Sequence, residues 1–73
     1  MSDVFERLLQ ERCDLEIKVH RLSKFIEDCS DVCDRAFKGV SDQQYVLLQE
    51  QEQCMRAYLG VLEKRIKLWK SEY

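Results

Sequence analysis

The sequence predicts an all-α protein, an antiparallel two-helix hairpin with a short joint that self-associates into a helical bundle. The 73 residues include no proline, two glycines and 36% charged residues, a composition that favours long helices over sheets with frequent turns. Two long apolar tracks flank an acidic segment. Because so short a chain seldom builds a sufficient core alone, we expect it to work by meeting copies of itself or another molecule.

Each apolar track keeps the alternating three- and four-residue spacing of a helix seam for about four heptads. The first track is Phe5, Leu8, Leu15, Val19, Leu22, Ile26 and Cys29, and the second is Tyr45, Leu48, Met55, Leu59, Leu62, Ile66, Trp69 and Tyr73. One charged residue interrupts each track, Arg12 in the first and Glu52 in the second. These two residues either pair across the hairpin and set its register or extend to solvent at the seam edge.

The predicted single domain, 1–73, has helix one at about 3–28, a joint at 29–40 and helix two at about 41–70. Asp3 and Glu6, and again Ser41 and Gln44, have the spacing of helix-capping pairs. Within the joint we predict a short helical turn from Asp31 to Phe37, with Phe37 and Val40 covering the open end of the hairpin. Gly39 suits a helix stop, and helices of about 40 Å with so short a joint favour antiparallel packing.

Helix two carries a second apolar line beside its seam: Leu47, Cys54, Val61 and Leu68. A two-helix hairpin buries one stripe per helix, so this line would stay exposed in a monomer. Self-association is the economical way to cover it, and a two-fold dimer forming a four-helix bundle is the expected arrangement.

Composition and motifs argue against several classes of function. A net charge of −2 does not fit a binder of duplex nucleic acid, and neither a membrane span nor a signal region is recognisable. We therefore expect a cytoplasmic protein. No phosphate loop, nucleophile motif or secluded carboxylate pair is found, and the single histidine, His20, lies on a charged helical face. The sequence predicts no enzyme and no cofactor.

The four cysteines, Cys13, Cys29, Cys33 and Cys54, are interpreted as reduced, small apolar residues. Cys29 and Cys33 are four residues apart and would share a helix face, but a zinc site normally needs a second ligand cluster. We therefore predict no metal site. A disulfide between two copies in an oxidised preparation remains an alternative.

Basic and aromatic residues form the candidate ligand-binding set: Lys18, Arg21, Tyr58, Arg65 and Trp69. Basic side chains bind phosphate and aromatic rings stack on bases, so a pocket that combines both could hold a small nucleotide. The competing interpretation is that the charges are solvated and the rings pack in the hairpin.

Sixteen positions carry a resemblance to a known group of proteins: Glu11, Arg12, Leu15, Lys18, Leu22, Phe25, Ile26, Phe37, Leu47, Leu48, Gln51, Met55, Tyr58, Leu62, Arg65 and Ile66. Together they resemble small bacteriophage helical-hairpin proteins related to crAss-like phage proteins. The chain is also similar to the hairpin of anti-CBASS and anti-Thoeris sponges, which sequester cyclic nucleotide or cyclic ADP-ribose signals without catalysis. In those proteins basic and aromatic residues at subunit junctions contact the ligand, and Lys18 after Ile17 resembles such a contact.

The resemblance implies a phage anti-defence sponge that binds a cyclic nucleotide-type immune signal in the host cytoplasm. Lys18, Arg21 and Arg65 would then neutralise phosphates, and Tyr58 or Trp69 would stack on a base. The alternative is an oligomeric protein-interaction module whose second apolar line docks a host or phage protein.

Overall fold

A computed structural model describes residues 3–72, and this part of the chain contains helices and no strand. Helix α1 spans Asp3–Asp28, α2 spans Val32–Phe37 and α3 spans Asp42–Glu72. The prediction of an all-α protein is confirmed. Helix α3 runs two residues past the predicted end at 70, and Tyr73, the last residue of the predicted seam, lies outside the described residues.

Helices α1 and α3 pack side by side along an elongated molecule of 51 × 15 × 13 Å. Near one end, the ring of Phe5 stacks on that of Trp69 with 5.9 Å between centroids. Farther along α1, the Ser23 hydroxyl donates a 2.6 Å hydrogen bond to Glu52. Because later residues of α1 meet earlier residues of α3, the two helices run in opposite directions.

The seam between α1 and α3 holds the core of the molecule. Its buried members are Leu8, Leu15, Val19, Leu62 and Ile66, with Phe5, Leu9, Met55 and Leu59 packed against them. Leu62 is fully buried. Burying a leucine or isoleucine side chain contributes about 1.5–3 kcal/mol, so this single layer supplies most of the attraction between the helices.

Of the two interpretations of Arg12 and Glu52, the structure contradicts the pairing across the hairpin. Glu52 instead lies beside Ser23 and pairs with Arg56 one turn along α3 at 3.5 Å. Arg12 pairs with Glu16 on its own helix at 3.8 Å. Eleven residues of helix separate Arg12 from Ser23, or about 16 Å, so the register of the two helices keeps the interrupting charges well apart.

Local hydrogen bonds cap both ends of α2. The Asp31 carboxylate accepts a 2.8 Å hydrogen bond from the Cys33 N–H. At the other end of α2, Gly39 adopts φ +74°, and the Gly39 and Val40 N–H groups donate to the carbonyls of Ala36 and Arg35. This is the paired hydrogen-bond ending that a left-handed residue after a helix allows.

The start of α3 is capped by Ser41, whose hydroxyl accepts a 3.1 Å hydrogen bond from the Gln44 N–H. A serine in this position satisfies a backbone donor that the first turn of a helix leaves open. The sequence spacing of Ser41 and Gln44 therefore corresponds to a real cap.

One arginine of α2 holds the joint together. The Arg35 guanidinium donates to the carbonyl oxygens of Cys29 at 2.9 Å and Ser30 at 3.0 Å, just past the end of α1. It also pairs with Asp42 at 3.3 Å and lies 4.4 Å from the centre of the Tyr45 ring. Arg35 thus connects the end of α1 to the first turns of α3.

The predicted role of Phe37 at the open end of the hairpin is wrong, because its side chain is 92% exposed. Arg35 lies on the side of α2 that faces the end of α1 and the start of α3. Residues two apart on a helix point about 200° apart, so Phe37 is directed to the opposite side. Val40 is half-buried.

Candidate functional site

A groove along one side of the α1–α3 pair is the candidate site. Its volume is about 340 Å³, and it is lined by Arg7, Gln10, Glu11, Asp14, Leu15, Lys18 and Tyr58. Lys18 and Tyr58 are two of the five predicted ligand contacts. They come from different helices and line the same groove.

Helical spacing explains why these side chains share one side. On α1 the lining residues recur every three or four positions, which places them along one flank beside the seam. The buried Leu15 gives the groove an apolar floor. Tyr58, from α3, is 45% exposed, so part of its ring remains available to a ligand.

Charges in the groove are arranged unevenly. Arg7 and Lys18 stand at its two ends, separated by eleven residues or about 16 Å of helix, and the carboxylates of Glu11 and Asp14 lie between them. Gln10 donates a 2.9 Å hydrogen bond to Asp14. An anionic group is repelled from the middle of the groove, so the favourable positions for a phosphate are its two ends, beside Arg7 and beside Lys18.

The other predicted contacts lie outside this groove. Arg21 is exposed and follows Lys18 by three residues, so it lies one turn farther along the same side of α1. Arg65 is exposed and lies two turns beyond Tyr58 on α3. Trp69 stacks on Phe5 with an interplanar angle of 18°, which places it in the seam.

Sequence reasoning did not assign Arg7, Gln10, Glu11 and Asp14 to the site. A signal for three of them was present, since positions 7, 11, 14 and 18 follow one another at helical spacing and so lie on one side of α1 with Lys18. Without the position of α3, this polar flank could not be distinguished from a solvated helix face. In the structure Tyr58 of α3 lines the groove together with this flank, so the flank forms one wall of the groove.

The second apolar line of α3 flanks the groove, and we call Leu47, Cys54, Val61 and Leu68 the outer stripe. Leu47, Val61 and Leu68 are 55%, 51% and 57% exposed, and Cys54 is exposed as well. Cys54 and Val61 are four and three residues from Tyr58, so the outer stripe and the groove share one side of α3. The molecule therefore exposes a row of four small or apolar side chains beside the groove.

Other chemistry is sparse in the described part of the chain. Residues 3–72 contain no group of three or more histidine, cysteine, aspartate or glutamate side chains that could hold a metal ion. The four cysteines are free thiols, with Cys29 buried and the other three exposed. No helix within the same range is long and apolar enough to cross a membrane.

Comparison with known proteins gave one family. No curated protein and no solved structure matched the chain. The family model described as Sequestin matches residues 2–68, and this name indicates a sequestering function. Since the match spans nearly the whole sequence, the chain belongs to the Sequestin family.

Proposed function

We propose that the protein is a phage anti-defence sponge, which binds and sequesters a cyclic nucleotide or cyclic ADP-ribose-type immune signal without catalysis. It would act in the host bacterial cytoplasm, as the resemblance to crAss-like phage proteins and to anti-CBASS and anti-Thoeris sponges implies. The observation that carries the proposal is that Lys18 of α1 and Tyr58 of α3 line one groove. The family name supports sequestration as the general kind of function.

Lys18 and Tyr58 together offer the two interactions that a nucleotide needs. The ammonium group of a lysine neutralises a phosphate, and an aromatic ring stacks on a base, an interaction worth about 1–3 kcal/mol per base. Both side chains are exposed, so a ligand can reach them. Arg21, Arg65 and Trp69 stay predicted contacts, and because Trp69 packs on Phe5 we assign base stacking to Tyr58.

Sequestration requires a tight and enclosed site, and no chemical step. The groove of a single copy, at about 340 Å³, is near the lower end of the roughly 300–1,000 Å³ of typical ligand sites. We therefore propose that the hairpin acts as a homo-oligomer in which a neighbouring copy encloses the ligand.

Calorimetric titration against cyclic dinucleotides, cyclic trinucleotides and cyclic ADP-ribose isomers tests the proposal. We expect one member of the panel to bind, and Lys18→Ala and Tyr58→Ala to weaken its binding at least tenfold, which corresponds to about 1.4 kcal/mol. Lys67→Ala is the matched control, because Lys67 is exposed and nine residues from Tyr58, on the opposite side of α3. A folded protein that binds no member of the panel would exclude the sponge.

A protein-interaction module is the second candidate, favoured by the exposed outer stripe and by Phe37, which is 92% exposed. Exposed apolar surface of this kind marks interaction sites. Recovery of one stoichiometric protein partner from infected-cell lysate, with no nucleotide absorbance near 260 nm in the purified complex, would favour this function over the sponge.

A further inference from the structure

We propose that the joint of one copy binds the last turns of α3 of a second copy, so that the chains associate head to tail. The joint offers an exposed apolar face of α2 and a cavity with an acidic rim. The end of α3 offers exposed apolar side chains bordered by cations. This inference concerns the outer surface of the protein and depends neither on the groove nor on any ligand.

Helix α2 has its apolar side turned to solvent and its arginine turned to the protein. At about 100° per residue, its apolar residues fall within an arc of about 140°, and all four are exposed: Val32, Cys33, Ala36 and Phe37. Phe37 is 92% exposed and Val32 is 65% exposed. The side chain of Arg35, by contrast, is only 12% exposed. An apolar helix face of this kind indicates a surface that binds another molecule.

A cavity of about 410 Å³ lies beside this face and is lined by residues of α2 and of the start of α3. Val32 and Ala36 belong to both the apolar face and the cavity, and Gly39 and Val40 extend the lining. A Cβ atom on Gly39 would meet no atom within 4 Å, so the cavity has free space at this point. We call the apolar face of α2 and this cavity together the joint surface. Its lining suits an aliphatic side chain that enters from outside.

The joint surface is acidic. Residues 27–42 contain five carboxylates and two cations, a net charge of −3, whereas the whole chain has −2. Asp28 pairs with Lys38 at 3.9 Å, and Asp42, with a side chain 85% exposed, pairs with Arg35 at 3.3 Å. The carboxylates left without an ion-pair partner within residues 3–72 are Glu27, Asp31 and Asp34. A surface that binds here must therefore supply cations.

The last turns of α3 carry these cations. Residues 64–70 contain no carboxylate and four cations: Lys64, Arg65, Lys67 and Lys70. Lys64 and Arg65 each lie three or four residues from both Val61 and Leu68, so they border these two side chains on α3. Val61 and Leu68 are 51% and 57% exposed. We call Val61, Lys64, Arg65 and Leu68 the basic patch.

Opposite charges determine which surfaces meet. Two joint surfaces placed together would bring Asp31 and Asp34 of each copy against the same residues of the other, and like charges held opposite each other are destabilising. The basic patch instead brings Lys64 and Arg65 to these carboxylates. Leu68, which lies between the two cations, then enters the cavity of the joint surface.

Like charges across this contact are few. Within the joint surface, the cations Lys38 and Arg35 each already pair with a carboxylate of their own chain. On α3, Glu72 lies one turn past Leu68, and the two cations of the basic patch outnumber it. A net attraction therefore remains after the charges that border the contact are counted.

One chain cannot join its own two surfaces. Asp42, at the start of α3, and Leu68, near its end, are separated by 26 residues, or about 39 Å of helix. The basic patch must therefore come from another copy. Because the two surfaces differ, each added copy leaves one of each free, and association is open-ended unless a ring closes.

The contact is small. A buried aromatic side chain covers about 150–250 Å², and the joint surface holds one such exposed ring, whereas each partner buries roughly 800 Å² in a standard interface. We therefore expect weak association, at high protein concentration, with an average mass that rises past two chains as the concentration increases.

Mixing two variants tests the arrangement. Phe37→Ser alters the joint surface and keeps the basic patch, whereas Leu68→Gln alters the basic patch and keeps the joint surface. Each variant alone should associate at least tenfold more weakly than the wild type in sedimentation velocity. An equimolar mixture retains one intact pair of surfaces and should form a 1:1 heterodimer that does not grow further. Ile17→Gln, at a 46% exposed position of α1 outside both surfaces, is the control and should associate as the wild type does.

A wild type that stays monomeric at every concentration would overturn the proposal. A mixture that is no more associated than its two components would do the same, because a symmetric contact between joint surfaces cannot be rescued by mixing. Self-association that Phe37→Ser leaves unchanged would place the contact elsewhere and also contradict the proposal. Circular dichroism verifies folding, which both variants should retain because both substituted side chains are exposed.

Salt tests the charge complementarity separately. Raising the ionic strength from about 0.1 M to 1 M shortens the screening length from about 10 Å to 3 Å, so association of the wild type should weaken several-fold. Lys64→Glu combined with Arg65→Glu should weaken association at low salt and remove this salt dependence. Wild-type association that is unchanged or stronger at high salt would overturn the role of the charges.

Discussion

Replacing Arg35 with alanine removes the side chain that connects the end of α1 to the start of α3. The guanidinium donates to the carbonyl oxygens of Cys29 and Ser30 at 2.9 and 3.0 Å, and its side chain is only 12% exposed. Without it, the Cys29 carbonyl loses its partner in the joint. We expect the free energy of unfolding to fall by about 2–3 kcal/mol, mainly from hydrogen bonds with a charged donor.

The other contacts of Arg35 add little to this value. The side chain of Asp42 is 85% exposed, and an ion pair with so exposed a partner contributes about 0–1 kcal/mol. The cation–π contact with Tyr45, at 4.4 Å from the ring centre, contributes about 0.5–1 kcal/mol at an accessible site. Arg35→Lys should therefore lose most of the roughly 2–3 kcal/mol that Arg35 is expected to contribute (about the same loss as Arg35→Ala). A lysine keeps the charge but cannot donate to both carbonyl oxygens with the planar geometry of a guanidinium.

Thermal unfolding followed by circular dichroism measures the effect, at one fixed protein concentration because association shifts the midpoint. For a domain of this size, 1 kcal/mol corresponds to about 4–8 °C, so Arg35→Ala should unfold about 10–20 °C below the wild type. Lys64→Ala, a change at an exposed position of α3, is the control and should stay within about 0.5 kcal/mol. An Arg35→Ala variant as stable as that control would refute the role of Arg35 in the joint.

Three further substitutions are tested by urea unfolding at the same protein concentration. Leu62→Ala should cost about 2–5 kcal/mol, because Leu62 is fully buried and truncation leaves a cavity; a loss below 1 kcal/mol would contradict its place in the core. Gly39→Ala should cost about 1–2 kcal/mol from its φ of +74° and the left-handed penalty, although its Cβ would meet no atom within 4 Å; a stabilised variant would contradict the strain argument. Phe37→Ser should change stability by less than about 0.5 kcal/mol, because Phe37 is 92% exposed, and a larger loss would mean that the ring packs against the protein.

The seam was predictable from the sequence because its spacing follows directly from helix geometry. Every track residue among the described ones is buried or half-buried, including the interrupting Arg12 and Glu52. The helix caps at Ser41 and Gly39 were predictable from local sequence, since both depend on hydrogen bonds between residues at most five apart. The exposure of the outer stripe follows from the limited width of a two-helix contact.

Features that depend on the joint could not be predicted in the same way. Whether Arg12 pairs with Glu52 depends on the register of α1 against α3, which only the packed helices determine, and in the structure each pairs within its own helix instead. Arg35 acts through backbone carbonyls and through the first turns of another helix, and neither leaves a sequence pattern. Phe37 was misassigned because its apolar character predicts burial, whereas the six-residue α2 turns it away from the seam.

The candidate site was predictable in part. Lys18 and Tyr58 were selected by residue type and by resemblance, and they line one groove. Arg7 and Asp14 were missed because a polar helix flank gains significance only beside a second helix.

Depletion and recovery of the ligand tests the central claim, sequestration without catalysis, most directly. The protein is mixed with whichever cyclic nucleotide binds it, the free ligand is quantified by mass spectrometry, and the complex is then denatured by heat. Sequestration predicts that the free ligand falls in proportion to added protein and is recovered intact and in full after denaturation. An undiminished free ligand, or a ligand recovered in a chemically altered form, would contradict the claim.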